Sequence, residues 1–498
     1  MKVLLVYPNI RGIFMVSSAM AILSALLKRD NHEVRLFDTT YWEFPESKAV
    51  HRDGERERYL QVPAYRGKKR PVPLHTTNVY DDFNTAVAEF EPDLIACSAA
   101  EDLFPHGIKL LENLRDKGKA KTMFGGVFPT FAPDKVIGHP DVDMICLGEG
   151  EYPLLELCKR IEKGQSYREI PNLWVKQDGV IYKNPMTSLM DMDNLPSMDL
   201  DIFDDSRLYR PFSGKIYRTI PMETHRGCPY HCAYCNSPAM KRMYKAEDRN
   251  FLRLKSIENV RRELLFYKDH YRAEYFYFLP DTFLALPDKY LEKLAEMYAS
   301  EIGLPFWCQT RPETLTENRV RLLKNMGIHR MNIGVEHGNP QFREKLLNRK
   351  VKNHTITEST RRLENYDIAF SFNCMIGFPT ETRELAFDTI HLNRELAATD
   401  GHFMATYVPY HGTPIRDRAE KMGYMDTDTI VTFWQRFSHL DMPQFSKEAI
   451  EGVRRCFVPY VLLEKDRWSE IEQAEKLTPE GDKIWGKIMA ECRERFFS

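Results

Sequence analysis

Twice along this chain, apolar runs of strand length alternate with segments of helical periodicity, and this double alternation constrains the fold more than any single residue. In the first stretch, residues 3–7 (VLLVY), 32–38 (HEVRLFD), 93–99 (DLIACSA), 122–126 (TMFGG) and 143–148 (DMICLG) read as strands. Helical patterns fall at 17–30, between the first two strands, and at 151–163, after the fifth. Such a pattern predicts an α/β unit, a Rossmann-like doubly wound parallel sheet that takes ligands at the carboxyl ends of its strands. Residues 42–80, rich in charge and proline, read as a long insertion after the second strand. Residues 175–185 read as a hairpin, followed by a Pro, Asp and Met-rich connector. A second alternation then begins, with strands expected at 218–225, 274–280, 305–310, 331–336, 369–377 and 402–409. Six strand–helix units predict a partial (β/α)6 barrel, short of a closed TIM barrel. Beyond about residue 430, Trp and Phe at helical spacing (TFWQRF, RWSEI) predict a small helical cap. The expected units are thus a Rossmann-like domain over 1–165, hairpin and linker over 166–210, a partial barrel over 211–430 and a helical domain over 431–498.

A chain of 498 residues needs more than one core. Its formal net charge of −2 gives no electrostatic case for nucleic acid or an anionic membrane, and the basic run at 66–70 reads as a solvated loop. No apolar run approaches the roughly 18 residues of a membrane span. The N-terminal MKVLLVYPN reads as a strand rather than a signal peptide. Ten cysteines in a chain of this length do not make a secreted disulfide framework, so a reducing cytoplasm is the expected compartment.

Three of those cysteines fall within eight positions: Cys228, Cys232 and Cys235, in HRGCPYHCAYCN. Two kinds of centre suit three thiolates. Tetrahedral zinc needs a fourth protein ligand, for which His225 or His231 could serve. A four-iron cluster held by three cysteines leaves one iron open to an outside ligand. The motif follows directly on the first strand of the predicted barrel, at its catalytic mouth, and this position favours the open cluster.

With its aromatic Tyr234 ahead of the last cysteine, RGCPYHCAYCN resembles the signature of the radical S-adenosylmethionine superfamily. The resemblance extends through LPDTF (279–283), CQTRPETLT (308–316), IGVEHGNPQFREKLLNRK (333–350), MIGFPTET (375–382) and YVPYHGTPI (407–415). It implies that Cys228, Cys232 and Cys235 bind a [4Fe-4S] cluster whose open iron takes S-adenosylmethionine. It further implies that Tyr234, Asp281, Glu336, Arg349, Ile376 and Gly377 contact S-adenosylmethionine, Arg349 through the methionyl carboxylate and Tyr234 and Ile376 beside the adenine. The plain alternatives are that Glu336 pairs with a neighbouring arginine and that Arg349 lies on a solvated helix end.

The front unit resembles the cobalamin-binding branch of that superfamily, on VYPN (6–9), FGGVFPTFAPDKV (124–136) and LGEGEYPLLEL (147–157). The residues implied for cobalamin are Tyr7, Pro8, Asn9, Gly125, Gly126, Val127, Gly148, Glu149 and Gly150. Paired glycines at a strand end let backbone approach a bulky ligand, or simply make a tight turn. One departure stands out: many such domains place a cobalt-ligating histidine after the first strand, and here NIRGIF holds none. The resemblance therefore implies cobalamin with no histidine ligand. Cys97, Cys146 and Cys158 read as packing thiols, which argues against a second cluster and methylthio transfer.

The whole resemblance implies a class B, cobalamin-dependent radical methyltransferase. A 5′-deoxyadenosyl radical would abstract hydrogen and methylcobalamin would methylate an unactivated carbon, on a peptide or protein residue such as glutamine or on a small molecule. An oxidative cyclase or rearrangement enzyme is the alternative within the class, and a cobalamin or iron–sulfur sensing protein the alternative outside it. Arg311, Phe403, Tyr407 and Tyr410 are the expected substrate-facing residues. The expected partners are the substrate and an electron donor such as ferredoxin or flavodoxin, with no nucleic acid or membrane and a monomeric chain.

Overall fold

The computed structural model describes residues 1–12, 15–45, 52–62, 74–187, 189–245, 251–396, 400–432 and 436–497. The basic run at 66–70 and part of TFWQRF lie outside the described residues. The first sheet has the order β2-β1-β3-β4-β5-β6-β7. Its strands are β1 (Lys2–Tyr7), β2 (Glu33–Asp38), β3 (Leu94–Ser98), β4 (Lys121–Gly125), β5 (Met144–Cys146), β6 (Leu173–Gln177) and β7 (Val180–Lys183). β1 to β5 run parallel; the buried apolar residues of β1, β3, β4 and β5 explain their near-continuous apolar runs, whereas the edge strand β2 is largely half-buried or exposed. The expected hairpin is β6–β7, and it pairs antiparallel onto β5 as an extension of this sheet. A 2-1-3-4-5 order puts the topological switch between β1 and β3, where open α/β sheets bind ligands.

The second sheet has the order β16-β15-β14-β13-β12-β9-β8. β8 (Tyr209–Phe212) and β9 (Lys215–Met222) are antiparallel, whereas β9, β12 (Tyr275–Phe278), β13 (Phe306–Thr310), β14 (Ile328–Glu336), β15 (Ala369–Ile376) and β16 (Gly401–Thr406) are parallel. These are the six expected strand–helix units. β8 was not anticipated from the sequence, and it covers one edge of the open barrel. A two-stranded ribbon, β10 (His225–Arg226) with β11 (Arg253–Leu254), flanks the cysteines in sequence, β10 just before them and β11 after.

The other edge, β16, is covered by a segment reaching across from the first unit's insertion. Gln61 donates its Nε2–H to the Met404 carbonyl at 3.0 Å, and the Tyr59 hydroxyl donates to Glu451 Oε1 at 2.7 Å. Edge strands expose unpaired amides, so both ends of the half-barrel are protected. The tail forms helices Lys447–Arg455, Phe457–Leu462, Trp468–Glu475 and Pro479–Phe496, packed beside β16 and helix Arg383–Glu395. Among the described residues, no helix is long and apolar enough to cross a membrane.

Candidate functional site

A cavity of about 300 Å³ opens at the carboxyl ends of the first sheet. Its walls include Leu5 of β1, Ala96, Cys97 and Ser98 of β3, Gly125 of β4 and Cys146 of β5. On the far side stand Glu223 and Arg226, which follow directly on β9 of the second sheet. The strand ends of both units therefore face one space, and Arg226 is two residues from Cys228.

Of the cobalamin-expected residues, Gly125, Gly126, Gly148, Glu149 and Gly150 line this cavity. Gly126 has φ +102°, and a Cβ there would lie 2.8 Å from the Ala99 carbonyl oxygen. Gly148 has φ +68°, and any side chain would collide with the Tyr244 hydroxyl, to which the Glu149 amide donates at 2.7 Å. These two glycines are needed for backbone shape, whereas Gly125 meets only Cys146 Cβ at 3.7 Å and serves to keep space open. Val127 is exposed but is not among the lining residues. Tyr7, Pro8 and Asn9 also stay outside the lining. Asn9 is buried, its Nδ2 donating to Thr40 Oγ1 at 2.7 Å and its carbonyl accepting from Thr39 Oγ1 at 2.6 Å. Burial pushes the Tyr7 phenol up to about 12.

Glu149 points at protein charge rather than into open space. Arg253 bonds it with both guanidinium nitrogens, Nη1 at 3.1 Å, and Arg226 Nη1 lies at 3.5 Å. Burial alone would raise its carboxyl, but the Arg253 hydrogen bond and the two guanidinium charges outweigh that and hold it below the usual range. Arg226 also pairs with Glu151 at 2.6 Å and Glu223 at 2.9 Å. Both arginines belong to the ribbon whose strands flank the cysteines in sequence, so this ion-pair network ties the cavity loop of one sheet to the cysteine loop of the other.

Cys228 and Cys235 are half-buried and Cys232 is buried. Cys228 Sγ lies 3.8 Å from Thr282 Oγ1, and the Ser237 amide donates to Cys235 Sγ at 3.4 Å. Burial, reinforced by Asp281 and the other two thiols, pushes Cys235 up to about 12. Burial also raises Cys228, which feels Asp281 and Cys232 in turn. Among the described residues no group of three or more His, Cys, Asp or Glu side chains stands where it could hold a single metal ion. His231 sets its Nε2 against Lys241 Nζ at 3.1 Å, and His225 shares a 3.0 Å hydrogen bond with Thr224 Oγ1. The cysteine loop fits an iron–sulfur cluster by its chemistry. Three soft thiols sit within electrostatic reach of one another, and burial that disfavours isolated thiolates is reversed by bound cations.

Around this loop the expected S-adenosylmethionine residues converge. Glu336 ends β14 with φ +68° at a register shift between Gly334 and Glu336, a strained backbone that aims its side chain. Arg349 is buried rather than on a solvated end. Its Nη1 donates to Glu336 Oε1 at 2.7 Å and to the Tyr234 hydroxyl at 3.0 Å, and its Nη2 to the Gly334 carbonyl at 2.7 Å. Burial works against its charge, yet Tyr234 and Glu336 offset this and hold its pKa up. The arginine fork is thus engaged by protein, and the plain alternative for Glu336, pairing with an arginine, is what the geometry displays. Asp281 follows β12 with its surface open to solvent, and desolvation by the surrounding protein raises its carboxyl. Ile376 is buried, and its carbonyl accepts from the Tyr407 amide at 2.8 Å. Gly377 has φ +89°, and its amide and that of Phe378 donate to Glu381 Oε2 at 2.6 and 2.9 Å.

The substrate-expected residues scatter. Arg311 turns to the cysteine loop, donating to Cys232 Sγ at 3.1 Å. Tyr407 is buried with its ring stacked on Phe378 at 4.8 Å. Phe403 lies under the Arg56 guanidinium at 5.0 Å, and Tyr410 is half-buried in the loop after β16. Sequence reasoning missed Glu381, which lies inside the quoted MIGFPTET; an acidic residue four positions after a glycine was the available signal for a loop-capping carboxylate. It missed the Arg226 and Arg253 network, for which ribbon pairing leaves no local pattern. Glu101 was missed too: this buried residue after β3 accepts from the His411 amide at 2.9 Å and from His411 Nδ1 at 2.7 Å, and the His411 carbonyl accepts from Asn236, next to Cys235.

Comparison with known proteins matches residues 222–392 to the radical SAM superfamily and residues 66–158 to the B12 binding domain. The chain carries a radical SAM domain and a B12-binding domain. These matches are to an enzyme superfamily and to a cobalamin-binding domain. The chain is 23% identical over 399 residues to an uncharacterized methyltransferase of Pyrococcus horikoshii, covering 78% of this chain and 82% of that one. It is 22% identical over 354 residues to an anaerobic magnesium-protoporphyrin IX monomethyl ester cyclase of Rubrivivax gelatinosus, covering 69% of this chain and 60% of the relative. The radical S-adenosylmethionine methyltransferase TsrM from Kitasatospora setae, solved with cobalamin and a [4Fe-4S] cluster, superposes with a TM-score of 0.62 at 15% identity, covering 99% of both chains. At this identity the likeness is one of fold.

Proposed function

We propose that this radical SAM protein is a cobalamin-dependent methyltransferase that methylates an unactivated carbon. When bound, S-adenosylmethionine with the cluster supplies a hydrogen-abstracting radical, and cobalamin supplies a transferable methyl group. One observation carries the reading: a single cavity is walled by the glycine loops of the first sheet and by Glu223 and Arg226, beside the cysteine loop. The chain's own residues divide the work. Cys228, Cys232 and Cys235 hold the cluster. Arg349 ties Tyr234, inside the cysteine loop, to Glu336 at the end of β14, and Glu381 shapes the Gly377 turn through two amide bonds. Gly125 keeps the cavity open to a ligand's bulk, and Gly126 and Gly148 give the loops around it their shape. Hydrophobic packing of Phe378 on Tyr407 closes the sixth-strand side against water.

The narrower reading, a peptide or protein acceptor such as a glutamine residue, rests on the sequence resemblance; Arg311 and Tyr407 are engaged within the protein. A cyclase is the second reading, favoured by the relative from Rubrivivax gelatinosus. Anaerobic reconstitution with iron, sulfide, hydroxocobalamin, S-adenosylmethionine and a reductant tests the class, read out as 5′-deoxyadenosine and retained corrin. Glutamine-containing peptides incubated with methyl-deuterated S-adenosylmethionine test the reaction. Gain of one labelled methyl group supports it; loss of hydrogens without label selects the cyclase, and absence of 5′-deoxyadenosine from an iron-loaded protein overturns both.

A further inference from the structure

We propose that Arg311 sets the reduction potential of the cluster on the cysteine loop, an inference that rests on Cys228, Cys232 and Cys235 being its ligands. Arg311 follows β13 and is only 8% exposed. Three contacts fix its guanidinium. Nη1 donates to Cys232 Sγ at 3.1 Å. The plane lies over the Tyr230 ring, 3.7 Å from its centroid, inside the same cysteine loop. Nε and Nη2 reach Glu313 Oε1 at 2.7 and 2.6 Å. So held, the side chain faces a cluster ligand and has no freedom to swing toward a substrate.

A hydrogen bond and a positive charge beside a thiolate ligand favour the more negative, reduced cluster, so they raise its potential. Reduction here adds one electron from the external donor; no bond is made or broken, and the guanidinium keeps its protons. Glu313 modulates this effect. Its carboxylate compensates part of the Arg311 charge, and its Oε2, buried without a hydrogen bond, lies 4.0 Å from Arg349 Nη2. The two arginines that grip the cysteine loop thus share one carboxylate. A planar fork suits this three-way contact, and a lysine could not reproduce it.

The test is a potentiometric EPR titration of the anaerobically reconstituted protein, with iron and sulfide quantified, for wild type, Arg311→Met, Arg311→Lys and Glu313→Gln. With full iron content, Arg311→Met is expected to lower the reduced-to-oxidised ratio at fixed poise about tenfold, a shift of about 59 mV to more negative potential. Arg311→Lys shifts less in the same direction. Glu313→Gln shifts the other way, because it leaves the Arg311 charge uncompensated, whereas a merely structural grip would move both variants alike. An unchanged potential in fully loaded Arg311→Met overturns the proposal. So do shifts of the same sign in Arg311→Met and Glu313→Gln, or loss of iron in Arg311→Met with no rise in Glu313→Gln. A wild-type protein that binds no iron would instead refute the cysteine reading on which the proposal rests.

Discussion

The two halves of the site recognise in different ways. At the end of the first sheet, glycines hold back side chains and leave a cavity of about 300 Å³, so that half works by space. Around the cysteine loop nearly every polar group is already engaged: Arg311 with Cys232 and Glu313, Arg349 with Tyr234, Glu336 and Gly334. That half works by preorganised charge. The contrast teaches that the first site should tolerate changes of charge but not of volume, and the second the reverse. Arg226 belongs to both, since it lines the cavity and belongs to the ribbon that leads into the cysteines.

The largest expected effect therefore falls on Arg226. Replacing it with Met leaves Glu149, Glu151 and Glu223 without their shared cation, and Glu151 is largely buried. Stripping one partner from a buried ion pair costs about 3 kcal/mol or more. Chemical denaturation should show that loss, together with impaired loading of both iron and corrin. A variant of unchanged stability would break the link drawn between the two halves.

A smaller and more selective effect is expected at Gly125. Valine suits the end of a strand, and its Cβ would meet only Cys146, at 3.7 Å. It would fill the cavity while leaving the backbone unstrained. Corrin binding should weaken about tenfold or more, about 1.4 kcal/mol, with the melting temperature and iron content held. Equal corrin affinity, measured by absorbance after loading, would show that space at this strand end is not what the ligand needs.

The smallest effect concerns acid. The Glu149 carboxyl lies below its ordinary value of 4.5 in the folded chain. Its contribution to stability is therefore complete above that ordinary value and is lost as pH falls from about there through the lower folded pKa. Denaturant melts should show Glu149→Gln less stable than wild type at neutral pH, with the two curves converging toward acid. Parallel curves would mean that the Arg226 and Arg253 charges do not act through this residue.

Much of the fold was legible because parallel strands buried on both faces write themselves as continuous apolar runs. Both sheets and all six barrel units appear where residues such as VLLVY and AFSFNCMIG indicate them. β8 and the ribbon were not legible. They are short, half-exposed and defined by antiparallel pairing, which leaves little periodicity behind. Within the site, the cysteines and glycines could be found by residue type and spacing, since few other roles explain them. Side chains such as Arg311 could not be aimed from the sequence. Its direction is decided by Tyr230 and Glu313, and Tyr230 lies on another element far away in the chain. Tyr7, Pro8 and Asn9 show the converse: the resemblance singles out this stretch, but Thr39 and Thr40 engage Asn9 within the fold and the stretch stays out of the cavity lining.

The central claim is that one space joins the two cofactor sites. EPR of the protein loaded with both cob(II)alamin and the reduced cluster tests it directly. Two paramagnets facing the same cavity should broaden and relax one another, and the effect should vanish when either is omitted. Spectra that are the simple sum of the two separate species, in protein loaded fully with both, would contradict it.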